Sequence, residues 1–466
     1  MLTLTFAELT RKGLLAISVF VCARFLAPAQ LGEYLFLISL YQVISVLGGA
    51  GLPNAQIRCL NQSRLSLAHE ALSALAARTL LVLPALVVLA VTLLWAGYPA
   101  AYAKALIPLG TLLLIRANAE SLATIYIAIE KQWDAAQVGL IQSFLTLCGT
   151  LYVVLHRPDV TALLWAIVFG AACSLIYALV RLLAEFRQSN SFAGIYRRTA
   201  ELLRTSGWLN IGAFAASSYN RGDVLLLQRM KDAVTVAIYS APYRIFDLTQ
   251  IFPGALAAVI LPRLCRSDST SDNQQNAAIL RVTLIGAMIL IAVVVLAAPL
   301  AIPLLFGTRY APSIQVLIIL SWAILPMFWN FFLNAQIVAV RLDHGIFLAA
   351  LLALIVNVSC NFLLIPRFGL WACAFLTIAT EWMLFAFNAV MLHRHKSMIW
   401  PEHSVRLILS AAILAVASVL WALHSGAAHA MALVGMGIGL VFLPLSPEEL
   451  KRFGLRQTRI SEYAPE

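Results

Sequence analysis

The chain alternates between long apolar runs and short polar stretches. Runs long enough to cross a membrane lie near 8–28, 32–52, 79–97, 105–129, 137–156 and 161–184. Others follow near 205–229, 235–261, 281–305, 313–340, 346–366, 370–393, 406–424 and 428–445. A spanning helix needs about 20 apolar residues, so fourteen occupy roughly 280 positions and leave only short connections. The pattern predicts an all-α polytopic membrane protein with fourteen transmembrane helices. The longest connection, 185–204, is too short for a folded module outside the membrane.

Composition and charge refine this picture. The 466 residues are 62% hydrophobic and 11% charged, whereas soluble domains are about half apolar and about a quarter charged. With the N-terminus inside, 22 of the 32 Lys and Arg residues fall in connections on one side, Arg11, Lys12, Arg78, Arg198 and Arg281 among them. That asymmetry is the positive-inside pattern and puts both termini in the cytoplasm. The net charge of +11 then faces anionic lipid headgroups rather than nucleic acid. Arg11 and Lys12 before an apolar run, with Ala27-Pro28-Ala29 after it, imitate a signal peptide. Arg24 interrupts that run and a second span follows at once, so a retained first helix is expected. Seven scattered cysteines without a C-x-x-C pair point to no disulfide framework and no metal site. No G-x-x-x-x-G-K-[ST] is present to cradle a nucleotide, and no cofactor is expected.

An internal repeat adds architecture. Arg24 precedes Tyr34 by the same interval that separates Arg229 from Tyr239. Leu52-Pro53 matches Leu261-Pro262, and Arg157-Pro158 before Leu164-Trp165 echoes Pro366-Arg367 before Leu370-Trp371. Three matches in order at one offset predict two six-helix lobes of the same direction, residues 1–204 and 205–404. Residues 405–466 would add two further helices and a cytoplasmic tail. Parallel repeats with a site between them at the membrane midplane are a recurring transporter design.

The chemistry lies in polar groups inside the apolar runs. A charge at bilayer depth costs roughly 2.5–3.5 kcal/mol on insertion scales. Arg221, Asp223, Arg244 and Asp247 accept that cost between Asn220 and Asp247. Arg116 and Glu120, four apart, and Arg244 and Asp247, three apart, either quench each other on one helix face or line a polar path. Arg221 and Asp223 lie about 200° apart around a helix and cannot share one contact. Asn210, Ser217 and Arg221 form a polar stripe and a candidate cavity wall. Asn330 with Asn334, and Asn357 with Asn361, are either interhelical hydrogen-bond glue, worth about 0.6 kcal/mol, or ligand contacts. Glu381 has no basic neighbour on its own face and is a candidate for proton coupling, as are Glu120, Asp223 and Asp247 for ions. Pro242, Pro253 and Pro326 should bend helices near these groups.

Four segments carry a family resemblance. Ala23-Arg24-Phe25-Leu26-Ala27-Pro28 with Leu31-Gly32-Glu33-Tyr34 resembles the first helical hairpin of Wzx-type polysaccharide flippases. Asn220-Arg221-Gly222-Asp223, with Ile238-Tyr239-Ser240-Ala241 and Tyr243-Arg244-Ile245, is similar to their helix 7–8 signature. Leu305-Phe306-Gly307 with Tyr310-Ala311-Pro312, and Leu364 to Trp371, match later landmarks, so the likeness runs from residue 10 to about 400. It implies the multidrug/oligosaccharidyl-lipid/polysaccharide exporter fold and export of an undecaprenyl-diphosphate-linked oligosaccharide across the bacterial inner membrane. It also implies membrane lipids, a polysaccharide polymerase and a chain-length regulator as partners. By position, Arg24, Arg116, Arg221 and Arg244 would meet the diphosphate. Asn210, Ser217, Asn220, Asn330, Asn334, Asn357 and Asn361 would serve the rest of the substrate.

Rival functions fit less well. Lipid II flippases of the same superfamily carry several arginines in helix 1 and the next loop, where this chain has only Arg24 beyond its basic entrance. A multidrug–cation antiporter should show a carboxylate in mid helix 1, which is absent. A membrane glycosyltransferase or polymerase should show D-x-D or a large external loop, and neither is present.

Overall fold

The computed structural model describes residues 2–62, 67–183, 194–265, 270–401 and 404–422. Every regular element among them is helical. The first half runs α1 (Leu2–Phe25), α2 (Pro28–Leu47), α3 (Leu52–Gln62), α4 (Leu67–Trp95), α5 (Leu106–Ala128), α6 (Gln132–His156) and α7 (Val160–Leu183). The second runs α8 (Ile195–Met230), α9 (Ala233–Thr249), α10 (Ile251–Leu264), α11 (Thr270–Leu305), α12 (Ser313–Ser321), α13 (Ile324–Ala339), α14 (Asp343–Phe368) and α15 (Leu370–Arg394). A further helix, α16 (Ser404–Ala422), follows. Thirteen of the expected spans appear as these helices or helix pairs. The segment expected at 428–445 and the tail lie outside the described residues.

Nine helices among the described residues are long and apolar enough to cross a membrane, and the bent pair α12–α13 makes a tenth. The chain is a multi-pass membrane protein. In α4, Leu80, Leu83, Val87, Val91 and Leu94 are exposed at helical spacing, while Ala74, Ala77, Val82, Ala85 and Leu89 are buried. An apolar outer stripe is what lipid contact requires. Helix α8 is the polar exception. It packs between α14 and the first-half helices α2, α3 and α4, and Ser206, Ser218, Asp223 and Gln228 are buried there.

The repeat is visible in the packing. Helices α2 and α9 begin 205 residues apart, and α7 and α15 begin 210 apart. Within the first half α1 packs on α6, α6 on α7 and α5 on α7; within the second α8 packs on α14, α14 on α15 and α13 on α15. The halves meet through α2 against α8 and α9. The two halves, or lobes, thus repeat one packing order and face one another.

Two of the expected sites show a helix break where proline removes a backbone donor. Pro253 cannot bond Thr249, and the chain breaks between α9 and α10 at Gln250. Pro326 cannot bond Trp322, and α12 meets α13 there at 40°. Pro242 lies within α9 without ending it.

One expectation needs correction. Arg78, Arg198 and Arg281, expected in connections, are all buried within α4, α8 and α11. The reason is that these helices run past their apolar stretches. Arg198 pairs with Glu70 of α4 at 2.8 Å, both buried.

The lobes are stitched together at the end where α1 and α8 finish. Arg24 donates to the Leu304 carbonyl, and Arg309 donates to the Arg24 carbonyl at 3.3 Å. Tyr98 donates to the Leu225 carbonyl at 3.2 Å, and Arg229 to the Ala96 carbonyl at 3.0 Å. Phe20 meets Phe306 edge to face at 5.2 Å. Beside this seam Gly32 of α2 approaches α9 so closely that a Cβ would overlap the Ala233 carbonyl. Gly32→Val should therefore force the lobes apart here, at a cost of about 1–3 kcal/mol for overpacking. Spin labels at exposed Ala29 and Val234 should report a longer distance in the variant, and an unchanged distance would contradict the close approach.

Candidate functional site: a cationic cavity between the lobes

Between the lobes lies a cavity of about 330 Å³. It spans the middle of α1, α2 from Tyr34 to Gln42, and the facing parts of α5, α6, α7, α8 and α9. Five basic side chains line it, Arg11, Lys12, Arg116, Arg221 and Arg244, against the single carboxylate of Asp247. The first three come from one lobe and the last two from the other. Tyr34, Tyr41, Gln42 and Gln142 add neutral polar groups.

The arginines are held in place by neighbours. Arg221 donates to Asp247 at 2.6 Å, and Arg244 lies 3.8 Å from the same carboxylate oxygen. The Arg221 guanidinium also stacks over the Tyr243 ring at 5.0 Å, a cation–π contact. One carboxylate thus serves two guanidiniums, and a positive charge is left over. In the other lobe Arg116 pairs with Glu120 at 2.9 Å and lies 5.9 Å from the Tyr41 ring centroid. Glu120 is itself shared with Arg78, at 3.0 Å. The same arrangement therefore occurs in both lobes, with two arginines around one acid. A smaller neighbouring pocket, of about 280 Å³, continues from Arg11, Arg116 and Gln142 to Glu8 and Glu120.

Other sequence candidates lie elsewhere. Arg24 is exposed at the seam, away from this cavity. Asn210 accepts from the Gly51 amide at 2.6 Å, and Ser217 donates to the Gln42 carbonyl at 3.4 Å, so both bridge α8 to the first lobe. Asp223 is buried inside the second lobe, accepting from the Val224 amide at 2.7 Å and from the Tyr239 hydroxyl. Asn357 donates to Thr380 at 3.4 Å, and Asn361 to Asn357 at 3.0 Å, between α14 and α15. Asn220, Asn330, Asn334 and Glu381 surround a third pocket within the second lobe. Among the described residues no group of three or more His, Cys, Asp or Glu converges as a metal site requires.

Comparison with known proteins places this geometry. A family model described as polysaccharide biosynthesis protein matches residues 1–268, more than half of the chain. The chain belongs to the polysaccharide biosynthesis protein family. A relative in Haloferax volcanii, a probable low-salt glycan biosynthesis flippase, is 20% identical over 266 residues, 56% of this chain and 54% of that protein. The chain thus spans about half the length of that curated relative. A solved structure of the lipid II flippase MurJ in an inward closed conformation aligns with a TM-score of 0.70 at 12% identity, covering 98% of this chain and all of the other. An inward-facing multidrug resistance transporter of the MATE family aligns with a TM-score of 0.66 at 13% identity, covering 83% and 96%. At such identities the likeness shows a shared fold.

Sequence reasoning missed several groups in this polysaccharide biosynthesis family member. Arg11 and Lys12 read as topology signals, yet they line the cavity with Leu15, Ala16, Ser18 and Val19 of the same helix. The available signal was Glu8, three residues before Arg11 and paired with it at 2.5 Å. Arg78 gave no local sign, since its partners come from residues 49, 117 and 120.

Proposed function

We propose that this protein moves an undecaprenyl-diphosphate-linked oligosaccharide from the cytoplasmic to the periplasmic leaflet of a bacterial inner membrane, by alternating access, for surface polysaccharide synthesis. The observation that carries the reading is the convergence of five basic side chains from both lobes on one mid-helix cavity. Guanidinium groups pair with phosphate oxygens through parallel hydrogen bonds. A site built from both lobes would respond to its ligand by changing how the lobes meet. Outward movement of an anion is favoured by an inside-negative potential, about 2.3 kcal/mol per charge per 100 mV. Both termini would lie in the cytoplasm, and the seam near Arg24 would close the periplasmic exit. Asp247 and Glu120 hold the arginines before substrate binds and yield them to the diphosphate; Asp223 and Glu381 are the carboxylates left for ion coupling.

The cation-antiporter reading is weaker, because a surplus of positive charge repels organic cations. The test is deletion of the chain from its host. Lipid-linked oligosaccharide should then accumulate on the cytoplasmic leaflet, detected by its reactivity to a glycosidase in inverted but not right-side-out vesicles. An unchanged distribution between leaflets would dismiss the proposal.

A further inference from the structure

The third pocket, about 190 Å³ inside the second lobe, differs in chemistry from the cationic cavity. Five carboxamides line it, Asn220, Gln250, Asn330, Asn334 and Asn388, together with Glu381, and no Lys, Arg or His does. Gln250, at the break between α9 and α10, lines both this pocket and the cationic cavity. The two spaces are therefore neighbours.

The hydrogen bonds orient these amides. Asn330 donates its Nδ2 to the Glu381 carboxylate at 3.0 Å and to the Glu381 carbonyl at 2.9 Å. Asn388 donates its Nδ2 to the Asn334 Oδ1 at 3.4 Å, and Asn220 donates its Nδ2 to the Ala216 carbonyl at 3.0 Å. In each case the donor half of the amide is engaged by the protein. Asn220, Gln250 and Asn334 are half-buried and turn amide groups to the pocket, while Asn388 holds the Asn334 amide in place. Carboxamides both donate to and accept from hydroxyl groups. A carboxylate can only accept, and Glu381 repels it.

We propose that this pocket is a subsite for an uncharged, hydroxyl-rich sugar residue of the substrate, and that it discriminates against acidic sugars. The proposal rests on the flippase reading above: the diphosphate sits among Arg116, Arg221 and Arg244, and the glycan extends past Gln250 into the second lobe. Glu381 acts here as a positioning residue, since its contact fixes which face the Asn330 amide presents.

The test measures binding of three synthetic lipids to the full chain in nanodiscs: polyprenyl diphosphate without sugar, polyprenyl-diphosphate hexose, and polyprenyl-diphosphate hexuronic acid. The hexose lipid should bind about tenfold more tightly than the bare diphosphate, as one or two neutral hydrogen bonds allow, and the hexuronate lipid should show no such gain. Asn388→Ala should reduce the hexose gain to within about twofold. Asn334→Ala, at a half-buried position, should do the same without a packing defect. A gain that survives both substitutions, or an equal gain for the hexuronate, overturns the subsite and leaves the flippase reading standing. Failure of the bare diphosphate to bind the wild-type chain overturns both.

Discussion

Arg221→Ala should abolish substrate movement, lowering the rate at least about a hundredfold while the protein remains in the membrane at normal levels. Truncating one partner of a buried, hydrogen-bonded charge pair costs about 2–5 kcal/mol; for this half-buried pair the lower part of that range, about 2.7 kcal/mol, is a factor of a hundred. Arg221 joins three things: the Asp247 carboxylate at 2.6 Å, the Tyr243 ring and the cavity wall. Arg221→Lys should recover only part of the rate, because an ammonium has neither the planar face for Tyr243 nor the two parallel donors a diphosphate accepts. The double variant Arg221→Ala, Asp247→Ala separates two causes. If Arg221 merely neutralises Asp247, removing both restores transport; if it holds the substrate, the double variant stays inactive. Surface glycan and protein abundance in the membrane, measured together, decide the matter. Normal glycan in Arg221→Ala would remove this residue from the substrate path.

Arg78→Met should have the largest effect on stability, about 3 kcal/mol, read as a lower melting temperature of the purified protein. Arg78 is 3% exposed in α4. It donates to the Gly49 carbonyl in the turn after α2, to the Ala117 carbonyl of α5 at 3.0 Å, and to Glu120 at 3.0 Å. Methionine fills the volume but leaves the Gly49 carbonyl and one side of Glu120 without their donor. Breaking a buried ionic contact by removing one partner costs roughly 3–5 kcal/mol, reduced here because Glu120 keeps Arg116. A functional effect should accompany it. Glu120 would then pair with Arg116 alone, and one guanidinium of the cavity would be more fully neutralised. Arg78→Lys should not rescue either property, since one ammonium cannot span three acceptors on two separate segments. Wild-type melting in Arg78→Met would show that this contact contributes nothing to the fold.

Much of this molecule follows from the order of its residues alone. Apolar runs of spanning length determine that it is helical and crosses the membrane many times, because backbone groups in lipid must be satisfied within their own segment. The repeated offset between Arg24–Tyr34 and Arg229–Tyr239 reappears as the 205-residue offset between the starts of α2 and α9. Pro253 and Pro326 follow the breaks at Gln250 and between α12 and α13, since a missing N–H leaves the carbonyl four positions earlier unbonded, although Pro242 does not end α9. These are all local or periodic properties.

Which charges meet was decided by tertiary structure. The sequence offered Arg244 as partner for Asp247 by helical spacing, but Arg221, 26 residues away, makes the shorter contact. Arg24, Arg116, Arg221 and Arg244 looked alike as arginines in or at the ends of apolar runs, yet Arg24 joins the seam and the others join the cavity. Arg11 and Lys12 join them because their side of α1 faces the cavity between the lobes. Helix spacing fixes the face on which a side chain emerges, to within a rotation. What lies opposite that face depends on how separate helices rotate and slide against each other, and no single run of residues encodes that.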